Sequence, residues 1–157
     1  AGNATAALEA YERHVELTDT PGADALLEYA ALLEERQFYA DAIEVLANAA
    51  DAAGVQPGQQ ALAHFERGRL LLTEAQEVEA GLDAVRTAIT LGFGDAEEYA
   101  DLLANPDLVG RAELEELGRD AGLLETGESG DAVPENAPAP DPVDGEESGA
   151  APPADGG

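Results

Sequence analysis

The sequence predicts an all-α protein, a right-handed α-solenoid of about seven helices, and three observations carry that expectation. Apolar residues recur at helical spacing in one segment after another, and no stretch alternates apolar with polar residues as a strand would. Alanine and leucine dominate while β-branched residues are sparse, a composition that suits helices. A small residue followed one turn later by a large one returns at intervals of 35 and then 39 residues, at Ala7, Ala42 and Gly81.

The elements follow in order. Residues 4–18 set Ala7, Leu8, Tyr11, Val15 and Leu17 at helical spacing, and "TDTPG" breaks the chain at Pro21 and Gly22. A second helix fits 24–35, with Leu26, Leu27, Tyr29, Ala30, Leu32 and Leu33 as its apolar set. A turn around Gln37 leads to a third over 39–53, closed by Gly54, the common residue just past a helix end. "GVQPG" reads as loop. The fourth helix is expected over 59–74 and the fifth over 78–91, where "GFGD" stops it. Asp95 caps a sixth, "AEEYADLLA"; "NPD" breaks again, and "LVGRAELEELGRDAGLL" is the seventh. These helices form a domain over 1–124.

From 125 to 157 the character changes. The segment has no aromatic, no leucine and no isoleucine but six of the nine prolines, so it cannot bury enough apolar surface to offset its ordering entropy and is expected to be disordered. "DPVDGEE" gathers carboxylates there without the full ligand pattern of a calcium loop.

Charge bounds the partners. The chain carries 34 acidic residues against seven arginines and no lysine, a formal net charge of −27. Residues 1–124 hold 25 of the acids and every arginine, hence −18. Such a field repels nucleic acid and anionic lipid. Two readings of the acidity stay open: solubility with adaptation to salt, or a surface that attracts a basic partner or mimics a polyanion. No apolar run approaches the roughly 18 residues of a membrane span, so no direct membrane insertion is expected. Cysteine is absent, which removes disulfides, thiol nucleophiles and thiolate metal sites. With the start at Ala1 and the Pro-rich tail, this leans toward a location outside the cytoplasm, a salt-adapted prokaryotic cytoplasm being the alternative.

The repeat supports a resemblance. Leu26, Tyr29, Ala30, Leu33, Tyr39, Ala42, Leu46 and Ala49 stand where the tetratricopeptide repeats place large, small, aromatic and small residues, so the chain resembles that family across 23–56. The likeness extends over 59–93 with a stretched turn at "TEAQEVEAG", and residues 4–20 match only the second helix of a unit. The resemblance implies a helix–turn–helix solenoid in which the small residues Ala30, Ala42, Gly68 and Gly81 admit close helix contact, with Tyr29, Tyr39 and Leu46 in the core.

Chemistry is sparse. His14 and His64 fall on different predicted helices without metal-ligand spacing, and the carboxylate pairs Glu34–Glu35, Glu97–Glu98 and Glu115–Glu116 join residues that do not face each other. His14 is expected to be a packed structural histidine. "GFGD" lacks the context of a phosphate loop, and the serines, 129 and 148, lie in the tail. No enzyme activity, cofactor or metal is expected. By resemblance, the first helix of each unit faces a partner protein or peptide, through Leu27, Ala31 and Glu34 in one unit and Phe65, Arg69 and Leu72 in the next. Arg67 and Arg69, with Arg36 nearby, make a basic cluster that either pairs with glutamates such as Glu66 and Glu74 or anchors an acidic group. The expected function is a non-catalytic interaction scaffold or adaptor. The alternative is a cell-envelope protein of the same type associated with transport or small-ligand binding.

Like charges repel more in a compact domain than in an expanded chain, and the screening length shrinks from about 8 Å at physiological salt to about 3 Å at 1 M. The melting temperature should therefore rise as sodium chloride is raised toward about 1 M. A domain that melts lower in salt would show that repulsion does not limit its stability.

Overall fold

The structure, a computed structural model, describes residues 9–11, 13, 17–18 and 21–125. The expected first helix, His14 included, lies largely outside these residues, although Glu9, Ala10, Tyr11, Arg13 and Leu17 are helical. The acidic tail from residue 126 onward, including the carboxylates of "DPVDGEE", lies outside them as well. Among the described residues the protein is all-helical, with no strand. The helices are α1 (Ala23–Glu35), α2 (Tyr39–Ala50), α3 (Pro57–Thr73), α4 (Val78–Thr90), α5 (Ala96–Ala104) and α6 (Arg111–Asp120). None of them is long and apolar enough to cross a membrane.

Helix ends follow local chemistry. Asp95 caps α5 as its sequence suggests, accepting hydrogen bonds from the Glu97 and Glu98 amides at 3.0 Å each. Helix α3 begins two residues before its expected start. Pro57 at its first position has the right φ and no N–H to satisfy, and Gln56 and Gln59 exchange side-chain and backbone hydrogen bonds in a capping box. Helix α2 ends at Ala50 rather than 53, because the Gln60 side chain donates to the Ala50 carbonyl at 3.0 Å and supplies its terminal partner.

Three helices stop in the same way. At the ends of α1, α4 and α6 a residue with left-handed φ (Gln37, Gly92 and Gly122) turns the chain, and the next amide returns to the helix. Phe38 donates to Leu33, Phe93 to Ala88 and Leu123 to Gly118, each at 2.9 Å, in the Schellman arrangement. In "GFGD" this is the role of Gly92: it folds Phe93 back onto the core, where its ring stacks on Phe65 with centroids 3.9 Å apart. The turn after α3 is wider by one residue, with Gln76 at φ 57° and the Glu77 amide reaching back to Leu71. That is the stretch read in "TEAQEVEAG". Helix α6 is shorter than expected because the Val109 amide donates to the Leu72 carbonyl at 3.1 Å and Gly110 then takes φ 70°. Residues 108–110 are held by α3 and cannot join the helix.

Consecutive helices pack on one another from α1 to α4, and α6 packs on both α4 and α5. Two contacts fix α1 against α3. The Gln59 side chain bonds Asp24 near their N-terminal ends, and Arg69 meets Glu34 at 2.5 Å near their C-terminal ends. Both pairs are 35 residues apart, so α1 and α3 run parallel and in one register. Farther on, the Phe65 and Tyr99 rings approach to 6.3 Å and join α3 to α5.

Helix α3 is the most buried element. It contributes Phe65 and Leu72 to one apolar cluster, Leu70 to a second and Ala63 to a third. Leu46 is buried beside Ala30, Ala42 and Leu33, with Tyr29 and Tyr39 packed at its margin. The small residues sit where helices meet most closely. A Cβ on Gly68 would lie 2.6 Å from the Val85 side chain and 3.0 Å from the Gly81 carbonyl oxygen, and one on Gly81 would lie 2.5 Å from Leu72. The α3–α4 contact therefore needs glycine on both sides.

Glycine inside a helix forfeits about 1 kcal/mol relative to alanine, so an uncrowded helical glycine gains from substitution. Overpacking a filled core loses about 1–3 kcal/mol. Gly68→Val should lower stability in thermal or denaturant unfolding by that larger amount. Gly58→Ala, also in α3 but with open space around it, should be neutral or stabilising.

Candidate functional site

Helices α1, α3 and α5 present two adjoining hollows. The first, about 250 Å³, is lined by Leu27, Ala30, Ala31 and Glu34 of α1, Leu46 of α2, Leu62 and Glu66 of α3, and Glu98 of α5. The second, about 290 Å³, is lined by Phe65, Glu66 and Arg69 of α3 with Glu98, Asp101, Leu102 and Asn105. Glu66 and Glu98 border both, so the hollows form one groove with an apolar floor and carboxylates along its sides.

Arg69 holds the middle of this groove. Its guanidinium reaches Glu34 at 2.5 Å and Glu66 at 2.7 Å, and its Nε donates to Glu66 at 2.8 Å. Burial disfavours the guanidinium charge, but the hydrogen bond to Glu34 and the field of Glu66 outweigh it and hold Arg69 protonated. All three side chains are about a quarter to a third exposed, so the network contributes on the order of 1 kcal/mol rather than more. Its structural effect is to tie α1 to α3 while using the positive charge of Arg69 inside the protein.

Glu98 and Asp101 lie three residues apart on α5, and neither makes an ion pair within the described residues. Partial burial raises the pKa of the Glu98 carboxyl, and Glu66, Asp95 and Asp101 push it further up against the opposing pull of Arg69. Tyr99, between them in sequence, faces the other way. It is fully buried, donates to the Leu114 carbonyl at 2.7 Å, and has its pKa pushed up to about 12 by burial. This bond anchors α5 on α6 and so sets where Glu98 and Asp101 stand.

The residues expected to face a partner are thus only partly assembled. Leu27, Ala31 and Glu34 line the first hollow, and Phe65 and Arg69 line the second. Phe65 is only 1% exposed, however, and serves as floor beneath Phe93 and Tyr99. Leu72 is fully buried in the α3–α4 contact against Gly81, so it belongs to the core and not to a partner surface. Arg67 and Arg69 do not form one basic cluster. Arg67 lines a different hollow of about 440 Å³ with Tyr39, Ile43, Leu71, Glu74 and Glu77. Arg69 pairs with Glu66 as one sequence reading allowed, but its second partner is Glu34 rather than Glu74.

His64 is half-buried on α3, and burial first, then the charge of Arg67, lower its pKa despite Asp51 and Asp83. It is therefore neutral near pH 7. Among the described residues no group of three or more histidines, aspartates or glutamates is placed to hold a metal ion. Leu62, Asp101 and Leu102 are groove residues that the sequence did not single out, while Glu66 and Glu98 entered it only as an ion-pair partner and as one of an adjacent carboxylate pair.

Glu98 should titrate above the ordinary glutamate value in a carboxyl-detected NMR titration, and Arg69→Gln should move it higher still, since Arg69 is what opposes the rise. An unchanged Glu98 midpoint in the variant would place Arg69 too far away to matter. No family model matches the chain, and no curated protein and no solved structure resembles it at a significant level.

Proposed function

We propose that the chain is a non-catalytic interaction module, a scaffold or adaptor of tetratricopeptide-like architecture that receives a segment of another protein. The observation that carries the reading is the groove itself. Its lining comes mainly from α1, α3 and α5, with Leu46 of α2, and on the tetratricopeptide-like reading those three are the first helices of successive pairs. That is the surface the resemblance assigns to ligands. The constant 35-residue offset of the α1–α3 contacts supports the same architecture, as do the small residues Ala30, Ala42, Gly68 and Gly81 at buried positions.

Magnitude favours side chains over a whole small molecule. Pockets that take drug-sized ligands run from about 300 to 1,000 Å³; each hollow taken singly, at about 250 and 290 Å³, falls just short of that range, and the two share only Glu66 and Glu98 in their lining. Two small hollows in a row suit successive side chains of one partner segment. A second reading, small-ligand binding, draws on the separate hollow of about 440 Å³, where Tyr39, Ile43 and Leu71 offer apolar surface beside Arg67. The groove is the better supported, because it runs across α1, α3 and α5.

A displayed library of random linear peptides, selected on the immobilised full chain, tests the proposal. Peptides should be recovered whose binding is lost in Ala31→Trp, which fills the first hollow from an exposed position, and kept in Arg119→Ala on the exposed end of α6. Recovery of nothing, or only of peptides indifferent to Ala31→Trp, would overturn it.

A further inference from the structure

We infer that the groove takes a basic segment, one that seats a lysine or arginine side chain between Glu98 and Asp101 and lays aliphatic side chains on Leu27 and Leu62. This rests on the interaction reading and adds the chemistry of the partner.

The argument is one of charge accounting within the groove. Four carboxylates border it, Glu34, Glu66, Glu98 and Asp101, against a single guanidinium. Arg69 is engaged by Glu34 and Glu66, at 2.5 and 2.7 Å. The two α5 acids that border the groove, Glu98 and Asp101, make no ion pair among the described residues, and they lie on one face of the helix at a spacing of three residues. The raised pKa of the Glu98 carboxyl reports the same field from the inside: burial and three neighbouring acids disfavour its charge. A cation arriving there would relieve that repulsion, whereas an acidic segment would add to it.

The floor then restricts the partner further. Leu27, Ala30, Leu46 and Leu62 line the first hollow beside Glu98, so the cation must be carried by a chain that also offers apolar side chains. A lysine or arginine side chain carries its charge on an aliphatic stem and so meets both demands. Complementary charge of this kind sets specificity and association rate, while the apolar contacts hold the complex.

The same peptide library provides the test, with recovered peptides resynthesised and measured by fluorescence anisotropy. Groove-dependent peptides should be enriched in lysine and arginine. Their affinity should fall about tenfold in the double variant Glu98→Gln and Asp101→Asn, equivalent to about 1.4 kcal/mol. A matched pair on exposed or partly exposed α6 positions, Glu115→Gln and Glu116→Gln, removes the same charge elsewhere and should change affinity much less. Circular dichroism melts of both variants establish that they fold. Neutral or acidic peptides that still require Ala31 would overturn the basic-segment inference and leave the interaction reading standing. Equal losses in the two double variants would also overturn it, by showing that the general field of the chain and not this site attracts the peptide. Absence of any peptide sensitive to Ala31→Trp would remove the interaction reading and this inference together.

Discussion

The arrangement of the domain depends on the contact between α3 and α4, where Gly68 and Gly81 face each other across two helix backbones. At either position even a methyl group would collide, with Val85 or with Leu72. Because the backbones come so close, Leu72 and Val85 are drawn into full burial, and the Leu72 carbonyl is placed to accept the Val109 amide. That single hydrogen bond delays α6 until Arg111. The position of α6 in turn fixes Tyr99 through the Leu114 carbonyl, and with it the acidic face of α5. A constraint buried on one side of α3 thus determines the wall of a groove on the other.

The groove shows a division of labour among like charges. In a chain with 34 acids and seven arginines, most carboxylates have no cation to meet. Arg69 meets two, and it does so between helices 35 residues apart, so its charge is spent on register rather than on a ligand. The surplus remains on α5. Solvation keeps such exposed acids tolerable, and long-range screening limits their mutual repulsion.

Much of the helical order was legible in the sequence, because it is local. The span of α5 and its Asp95 cap, the small residues at Ala30, Ala42, Gly68 and Gly81, and the extra residue after α3 all follow from spacing and end chemistry. The start of α3 was also encoded, in a proline at the first position flanked by Gln56 and Gln59, a signal that reads as loop when proline is taken only as a breaker. The groove was less legible. Leu72 and Arg69 are three residues apart on one helix and both fit the expected face, yet one is sealed against Gly81 and the other points into the groove. Spacing alone cannot divide them, since the width of the facing helix decides which is covered. Glu98 and Asp101 could not be read as a site for a different reason: adjacency of acids, as in Glu97–Glu98, means little in so acidic a chain, and only the docking of α5 on α6 through Tyr99 gives those two a location.

Helix α3 belongs to all three apolar clusters, through Phe65 and Leu72, Leu70, and Ala63. Stacked helix pairs that touch only their immediate neighbours can fray from an end, one pair at a time. Here the central helix is a shared wall of every cluster, so detaching either flank exposes surface that the other flank also uses. The consequence is cooperative unfolding: amide hydrogens of α1 and α4, although far apart in sequence, should exchange through one common opening rather than through separate ones.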